Sequence, residues 1–350
     1  MHMADALISP AVGGTMWAVS VGLAAHSARR IRAEVAERKA PLMGVLGAFV
    51  FAAQMLNFAI PGTGSSGHLG GGMILAILLG PHAAFLVMFS ILAVQALFFA
   101  DGGLLALGCN VFNLGFWPSF VAYPLLFRKM VGGKPGKGRI LVASLIASVV
   151  ALQLGAFGVV VQTRLSGISE LPFGTFLLFM QPIHLAIGIV EGIVTAALVS
   201  FVWRARPEIL EFAAQPPTAG TPSLRALVAV FAVATIVVAG VLSWFASVFP
   251  DGLEWAMLRT AGKKELESPG SAVHESLARL QEKTAILPDY GFREPSEHGA
   301  AAESASGEKE AERWPAVSGA TTIAGLVGAA MVLAVTMATA LLLRWAWRSR

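Results

Sequence analysis

The sequence predicts an all-α polytopic membrane protein: a seven-helix bundle with one short helix, followed by two further transmembrane helices. Of the 350 residues, 56% are hydrophobic and only 13% are charged, whereas a typical soluble domain has about 25% charged residues. Several apolar runs approach or exceed the roughly 20 residues that a helix needs to cross a bilayer. This composition excludes a soluble fold, and no basic patch interleaved with aromatic residues suggests nucleic-acid binding.

We expect nine membrane-inserted helices, at residues 11–27, 42–60, 68–79, 83–100, 104–130, 139–163, 173–204, 223–249 and 316–346. The third is too short to span a bilayer and ends at Gly80 and Pro81, which break helices. We therefore interpret it as a half-helix lining a cavity within the bundle. Cys109 is the single cysteine and lies in an apolar run, which excludes disulfides and thiolate metal clusters.

Basic residues predict the orientation, because short cytoplasmic loops collect Lys and Arg. They cluster in loops 28–41 and 128–139, near 204–225 and at the end of the chain. These clusters share one side if the N-terminus is extracytoplasmic and the short helix counts as a crossing. Arg29 is the first basic residue, so the chain lacks the basic region of a signal peptide and we expect Met1 to be retained. The prediction is an integral protein of the bacterial cytoplasmic (inner) membrane.

The chain divides into two expected units. Residues 1–205 form the bundle, and 206–222 are interpreted as a cytoplasmic linker because of Pro216, Pro217 and Pro222. Residues 223–350 form a two-helix unit with a polar extracytoplasmic loop at 250–315. Within that loop, residues 296–312 have the composition of a flexible linker.

The loop IPGTGSSGHLGGG, residues 60–72, has the G-x-G-x-x-G spacing of a dinucleotide site. That site needs a preceding strand and an acidic residue about 20 positions later. Here a predicted membrane helix precedes the glycines and the first acid is Asp101, so we reject this interpretation. The segment GGKPGKGR (132–139) resembles a phosphate-binding loop, but Gly138 stands where Ser or Thr is required. Energy from ATP would have to come from a partner protein.

The first two residues and His68 form a candidate metal site. A free Met1 amine, the His2 main-chain nitrogen and the His2 ring can close a five-membered and a six-membered chelate ring. His68 would then fill the fourth position of a plane of nitrogens, which suits Ni(II) or Cu(II). Co(II) could use the same ligands. Asp5 either caps the first helix or holds His2 as a supporting acceptor.

Other polar residues lie near this predicted site or inside the membrane. Ser66, Gln95 and Asn110 either orient His68 and its loop or make packing hydrogen bonds. His184 and Glu191 share one helix face and are either a functional intramembrane pair or a packing pair. His274 and His298, in the polar loop, are expected to be solvated.

Four motifs resemble the CbiM/NikM family, the substrate-binding membrane components of cobalt and nickel energy-coupling-factor (ECF) transporters. They are MHMADALISP at the start, PGTGSSGHLGGGMILAILLGP (61–81), QALFFADGGLLALGCNVFNLGF (95–116) and HLAIGIVEGIVTA (184–196). The resemblance covers residues 1 to about 205. FPDGLEWA (249–256), LPDYGF (287–292) and the last helix are similar to the small CbiN/NikN component, here fused. Many relatives begin closer to HIPDGFLS, so HMADALIS keeps Asp5 but loses a proline.

The resemblance implies that the N-terminus enters the bundle and that Met1, His2 and His68 capture the metal. It also implies partners: a NikQ/CbiQ-like transmembrane coupling protein and two NikO/CbiO-like ATPase subunits. Ni²⁺ or Co²⁺ would be cargo, with no permanently bound cofactor and no enzymatic activity. Fusion of the two components favours nickel over cobalt.

Two other function classes stay open at the level of sequence. An intramembrane metalloenzyme would need a general base and an open metal position, but no H-E-x-x-H motif is present, and His184 with Glu191 is one carboxylate short of a site. A proton-coupled metal carrier would be expected to contain several intramembrane acids, whereas Glu191 is nearly alone.

Overall fold

The computed structural model describes residues 2–31, 33–133, 135–210, 223–293 and 315–348, and these ranges are helical with one short hairpin. The helices are α1 (Pro10–Arg30), α2 (Ala33–Gln54), α3 (Gly72–Leu79), α4 (Pro81–Phe98), α5 (the consecutive segments Leu107–Val111, Phe112–Phe127 and Arg128–Val131), α6 (Lys137–Ser166), α7 (Phe173–Ala205), α8 (Leu224–Gly240), α9 (Gly252–Ala261), α10 (Ala272–Thr284) and α11 (Gly319–Arg348). The strands are β1 (Phe58–Ile60) and β2 (Ser65–Gly67), which pair antiparallel.

The all-α prediction is confirmed, and each of the nine predicted segments contains a helix. Three predicted bounds are wrong. Helix α2 begins at Ala33, nine residues before the expected start at 42, so most of the expected loop 28–41 is helical. The segment 42–60 stops being helical at Gln54, because 58–60 pairs with β2 in a hairpin that turns through Gly62 and Gly64, both with positive φ. The segment 223–249 stops at Gly240, after which the chain turns back towards the hairpin.

Four helices in the described part of the chain are long and apolar enough to cross a membrane: Pro81–Phe98, Lys137–Ser166, Phe173–Ala205 and Gly319–Trp345. Two shorter apolar helices, Ala40–Gln54 and Leu224–Gly240, accompany them. Helix α5 is wound as a π-helix from Phe112 to Phe127, a stretch that contains Pro118 and Pro124. Proline has no N–H to donate within a helix, which disturbs regular α-helical bonding there.

The predicted half-helix is α3, and it is fully enclosed. All eight of its residues are buried. It begins after Gly71 (φ +75°) and ends at Gly80 (φ +81°), conformations that favour glycine, and Pro81 then starts α4. An irregular backbone at this depth is tolerated because protein surrounds it on all sides.

The last helix packs against the first unit through small residues. A Cβ built on Gly328 would lie 2.1 Å from the Phe51 ring of α2. Within the second unit, one built on Gly325 would lie 3.0 Å from Ala239 of α8. On α2, a Cβ built on Gly44 would lie 2.8 Å from the Met337 side chain of the last helix. Helix association in lipid depends on such close van der Waals packing, because the hydrophobic effect does not drive helices together in an apolar solvent.

The polar loop after α8 is folded over the end of the bundle, which the sequence did not predict. Asp251 precedes α9 and forms a capping box: its side chain accepts from Leu253 N and Glu254 N, while the Glu254 carboxylate accepts from Asp251 N. Helix α10 follows and packs on α4. The predicted linker at 296–312 lies outside the described residues.

The crossing of α1 and α5 yields a test of the fold. A Cβ on Gly108 would lie 2.4 Å from Trp17 N and 2.6 Å from Met16 C, which are backbone atoms that cannot rotate away. We expect Gly108→Ala to destabilise the protein by about 1–3 kcal/mol or more, as overpacking does. Gly22→Ala, on the open face of α1, is the matched control. Thermal unfolding in detergent should show a lower Tm for Gly108→Ala only; equal Tm values would contradict so close a crossing of these two helices.

Candidate metal site

The start of the chain is buried in the bundle and held there by α5. Met3 N donates to Asn110 Oδ1 at 2.8 Å, and Asn110 Nδ2 donates to Met3 O at 3.1 Å. Gly103 N adds a bond to the same carbonyl at 2.9 Å, and the Met3 side chain is 0% exposed. These contacts fix the peptide that follows His2. Met1 lies outside the described residues.

The structure brings together the two predicted histidine ligands. The rings of His2 and His68 stack with centroids 5.2 Å apart and 23° between their planes. His68 Nδ1 donates to Leu69 O at 3.1 Å, so the lone pair of the neutral ring is on Nε2. A hydrogen bond from the second ring nitrogen to a carbonyl is the usual support of a metal-binding histidine.

The surroundings keep His68 neutral. Burial first, then nearby positive charge that includes His2, lowers the pKa of His68 from 6.5 to about 3. A neutral imidazole is the form that coordinates metal, because a protonated one has no lone pair left.

Asp101 holds His2, which was one of the two roles that the sequence left open for Asp5. Asp101 Oδ1 accepts from His2 Nδ1 at 2.8 Å, and Tyr290 donates its hydroxyl to Asp101 Oδ2 at 2.5 Å. Burial raises the pKa of Asp101, but His2 and the Tyr290 hydroxyl outweigh it and lower that pKa below its usual range. His2 Nε2 is buried without a hydrogen-bond partner among the described residues.

Neither expected role of Asp5 is observed. Ser9 caps α1 by accepting from Val12 N, and Asp5 Oδ1 instead accepts from Ala106 N at 2.9 Å. Asp5 therefore ties the buried chain start to the beginning of α5 without reaching His2. Asp101 gave one signal in the sequence: it is the first acid after the glycine loop and follows α4 at the same end.

Backbone strain is concentrated around this site. Ala100 (φ 54°), Asp289 (φ 49°) and Tyr290 (φ 58°) are the non-glycine residues with positive φ in the described ranges. Such conformations cost about 1–3 kcal/mol each and persist where the surroundings fix them. All three flank or belong to the Asp101–Tyr290 contact, so the strain positions the groups next to His2.

Ser66 and Gln95 connect the first unit to the second. Ser66 N and Oγ donate to the carbonyls of Pro250 and Phe249, both at 2.8 Å. Gln95 Nε2 donates to Gln54 Oε1 at 2.9 Å and to Tyr290 Oη at 3.3 Å. Ser66 thus supports the loop through the second unit, and neither residue bonds His68 in the contacts described.

His184 and Glu191 do not form a pair. His184 Nδ1 donates to Met180 O of its own helix at 2.8 Å, while its Nε2 is buried without a partner among the described residues and faces a small cavity that His68 also lines. Glu191 Oε2 accepts from Gly70 N at 2.8 Å, and Gln54 Nε2 donates to Gly70 O at 2.9 Å. Glu191, on α7, therefore holds the glycine loop at Gly70.

The second unit encloses the site. Trp255 Nε1 donates to Thr63 O at 3.0 Å, and Asp251 lies within electrostatic reach of His68. Burial raises the pKa of Asp251, but nearby positive charge and the hydrogen bond from Glu254 N outweigh it and lower the pKa below its usual range. His274, expected to be solvated, is instead 2% exposed and donates from Nε2 to Ile8 O at 3.0 Å. His298 lies outside the described residues.

The described part of the chain contains no group of three or more His, Cys, Asp or Glu side chains that could hold a metal by themselves.

Family comparison assigns both halves. The family model described as the cobalt uptake substrate-specific transmembrane region, CbiM, matches residues 2–209. The chain belongs to the CbiM family. The PDGLE domain matches residues 225–345, so the chain fuses a CbiM region to a PDGLE domain.

Fused relatives align along most of the chain. The fused nickel transport protein NikMN of Rhodobacter capsulatus is 29% identical over 310 residues, covering 83% of this chain and 88% of that protein. The putative fused nickel transport protein NikMN of Archaeoglobus fulgidus is 34% identical over 230 residues, covering 66% and 75%. The cobalt transport protein CbiM of Sorangium cellulosum is 32% identical over 202 residues, covering 55% and 84%.

A solved structure shares the fold of the first unit. The crystal structure of a truncated transition metal transporter has a TM-score of 0.51 and 29% sequence identity, and covers 58% of this chain and 99% of that one. Together with the four long apolar helices, these matches make the chain an integral membrane protein of a metal-transporter family.

The low pKa of His68 can be measured directly. With ¹³C-labelled histidine and metal-free protein, the His68 resonance, assigned by its loss in His68→Gln, should show no titration between pH 7 and 5. Because unfolded His68 protonates near 6.5 and folded His68 near 3, the unfolded state binds more protons between these values. This residue's contribution to stability is therefore complete above about pH 6.5 and declines towards pH 3. A midpoint near 6.5 in the folded protein would contradict the buried site.

The role of Glu191 can be tested at the Gly70 amide. Glu191→Leu removes the acceptor of a buried N–H, which costs about 1–3 kcal/mol. We expect hydrogen exchange of the peptide spanning 66–75 to become about 10-fold faster or more. Glu191→Gln keeps an acceptor oxygen and should restore most of the protection. Unaltered exchange in Glu191→Leu would show that Glu191 does not hold the loop.

Proposed function

We propose that the chain captures Ni²⁺, with Co²⁺ as the alternative cargo, as the substrate-binding component of an ECF-type ABC transporter. The stacking of His2 on His68, next to a chain start clamped into the bundle by Asn110, is the observation that carries the proposal. Membership of the CbiM family supports transport as the purpose of the site.

The proposed ligands are the Met1 amine, the His2 main-chain nitrogen, His2 Nδ1 and His68 Nε2. Four nitrogens in a plane suit Ni(II), and the neutral state of His68 leaves its lone pair ready. The six-membered chelate ring closes through His2 Nδ1, which Asp101 holds in this structure. Capture therefore exchanges Asp101 for the ion at this nitrogen, which the His2 side chain achieves by rotating.

Nickel is the favoured cargo because the fused relatives in Rhodobacter and Archaeoglobus are named nickel transport proteins. Unfused relatives named for cobalt keep Co²⁺ as the alternative. The metal is cargo, and we propose no permanently bound cofactor.

ATP hydrolysis is assigned to partners, since the sequence has no phosphate-binding loop. These would be a NikQ/CbiQ-like coupling protein in the membrane and two NikO/CbiO-like ATPases. In this proposal the partners act on the cytoplasmic side, and the N-terminus and the site face outside, since short cytoplasmic loops tend to be rich in Lys and Arg. Residues 1–205 form the binding unit, 206–222 the cytoplasmic linker and 223–350 the second unit.

The contacts of His184 and Glu191 favour transport over an intramembrane metalloenzyme. Glu191 accepts from the Gly70 amide and His184 Nδ1 donates within its own helix, so the two side chains do not converge on one metal position. Glu191, the acid expected to move protons in a proton-coupled carrier, serves a structural contact instead.

Blocking the N-terminal amine tests the proposal. Extension of the chain before Met1 should weaken Ni²⁺ and Co²⁺ binding at least about 100-fold, because loss of a direct ligand exceeds the 10–100-fold cost of losing a supporting contact. His2→Ala and His68→Ala should do the same. Calorimetry and metal analysis would compare these proteins with the native start.

Two controls keep this test specific. One control protein carries a C-terminal extension and the other carries His26→Ala. His26 lies about 24 Å along α1 from the first residue of that helix, at 1.5 Å per residue. Both proteins should bind metal like the native protein. Retained affinity in the N-terminally extended protein would disprove the chelate. Copurification with an ATPase is expected for an ECF component, and transport without one would support the carrier alternative.

A further inference from the structure

A cavity of about 380 Å³ lies beside the two histidines, between the two units. His2 and His68 form part of its wall. Asn57 and Gln54 of the first unit and Tyr290 of the second also line it.

The charge of this cavity is one-sided. Among the described residues, its lining includes four carboxylic side chains, those of Asp101, Asp251, Glu254 and Asp289, and no Lys or Arg. The chain as a whole has a net charge of +4. Three of the four acids come from the PDGLE half, so the second unit supplies most of the negative charge beside the site.

Buried polar atoms without partners also face this cavity. The His2 side chain is 7% exposed, and its Nε2 has no hydrogen-bond partner among the described residues. Asn57 Oδ1 is in the same condition and lines the same wall. Burying such atoms is costly unless a ligand or water satisfies them, so the cavity is suited to hydrated polar contents.

We propose that this acidic cavity is an antechamber that binds a hydrated divalent cation before His2 and His68 take the metal. The proposal rests on the proposed function and adds a loading step to it. Carboxylates and water suit hydrated divalent ions in general, whereas imidazole nitrogens select Ni²⁺ and related ions. Collection and selection are thus separated: carboxylates raise the local concentration of cations, and the nitrogens choose among them.

The physical basis is electrostatic focusing. A cavity with low-dielectric walls and charge of one sign raises the local concentration of counter-ions and their association rate, and salt weakens this effect. The antechamber therefore acts on the association rate constant of Ni²⁺. The dissociation rate constant of Ni²⁺ is set by the nitrogen ligands.

Glu254→Gln with Asp289→Asn tests the antechamber with little disturbance of the fold. Gln is accepted at the third position of a capping box, so α9 keeps its start. Asn tolerates the left-handed backbone conformation that Asp289 adopts (φ 49°). Neither residue is among the proposed ligands.

The matched control is Glu275→Gln with Glu282→Gln. Both residues are exposed on α10 and neither lines the cavity. This control removes two carboxylates, so it changes the net charge of the protein by the same amount as the cavity variant. The full-length protein with its native start, in nanodiscs, would be mixed with Ni²⁺ by stopped flow, and dissociation would be followed with a chelator.

We expect the cavity variant to bind Ni²⁺ about 3- to 10-fold more slowly at low ionic strength, with a difference that shrinks as salt is added. Its dissociation rate and stoichiometry should match the native protein, and the control should lose much less. A loss no greater than that of the control would overturn the proposal. So would a faster dissociation with an unaltered association rate, because the acids would then act on bound metal.

Competition with Mg²⁺ at constant ionic strength gives a second readout. Mg²⁺ should slow Ni²⁺ association with the native protein more than with the cavity variant, since it occupies carboxylates but not imidazoles. Equal slowing would contradict the antechamber. Failure of the proposed function looks different: His68→Ala would then bind Ni²⁺ as well as the native protein.

Discussion

The candidate site depends on the burial of the chain start by Asn110. The amide of this side chain bonds both the N–H and the carbonyl of Met3, so it replaces the hydrogen bonds that this peptide would otherwise make with water. Because burying unpaired backbone groups is costly, this bidentate contact allows a terminal segment to enter an apolar bundle. His2 then follows a fixed peptide and meets His68.

The second unit is part of the same body as the first. Its last helix packs on α2 through glycines, and its PDGLE segment bonds the glycine loop at Ser66 and Thr63. Tyr290 reaches Asp101, which in turn holds His2. Segments far apart in sequence are therefore joined by hydrogen bonds at the candidate site. This arrangement gives a physical reason for joining the units in one chain.

Electrostatics at this end of the bundle separate two requirements of metal capture. Burial keeps His68 neutral, which a nitrogen ligand needs. The carboxylates of Asp101 and Asp251 remain ionised beside it, which attracts a cation. The strained backbone at Ala100 and Tyr290 shows that this juxtaposition is imposed by the fold, since neither residue favours a positive φ.

The sequence by itself determined the helical membrane fold and the half-helix at α3, and it identified His2 and His68 as candidate metal ligands. Apolar length, helix-breaking glycines and residue chemistry are local properties, so they can be recognised along a single chain. The hairpin at 58–67, the helices α9 and α10, and the roles of Asp101 and Tyr290 were decided by tertiary structure. They arise from contacts between segments up to 269 positions apart, and such pairings leave no periodic signal in the order of the residues.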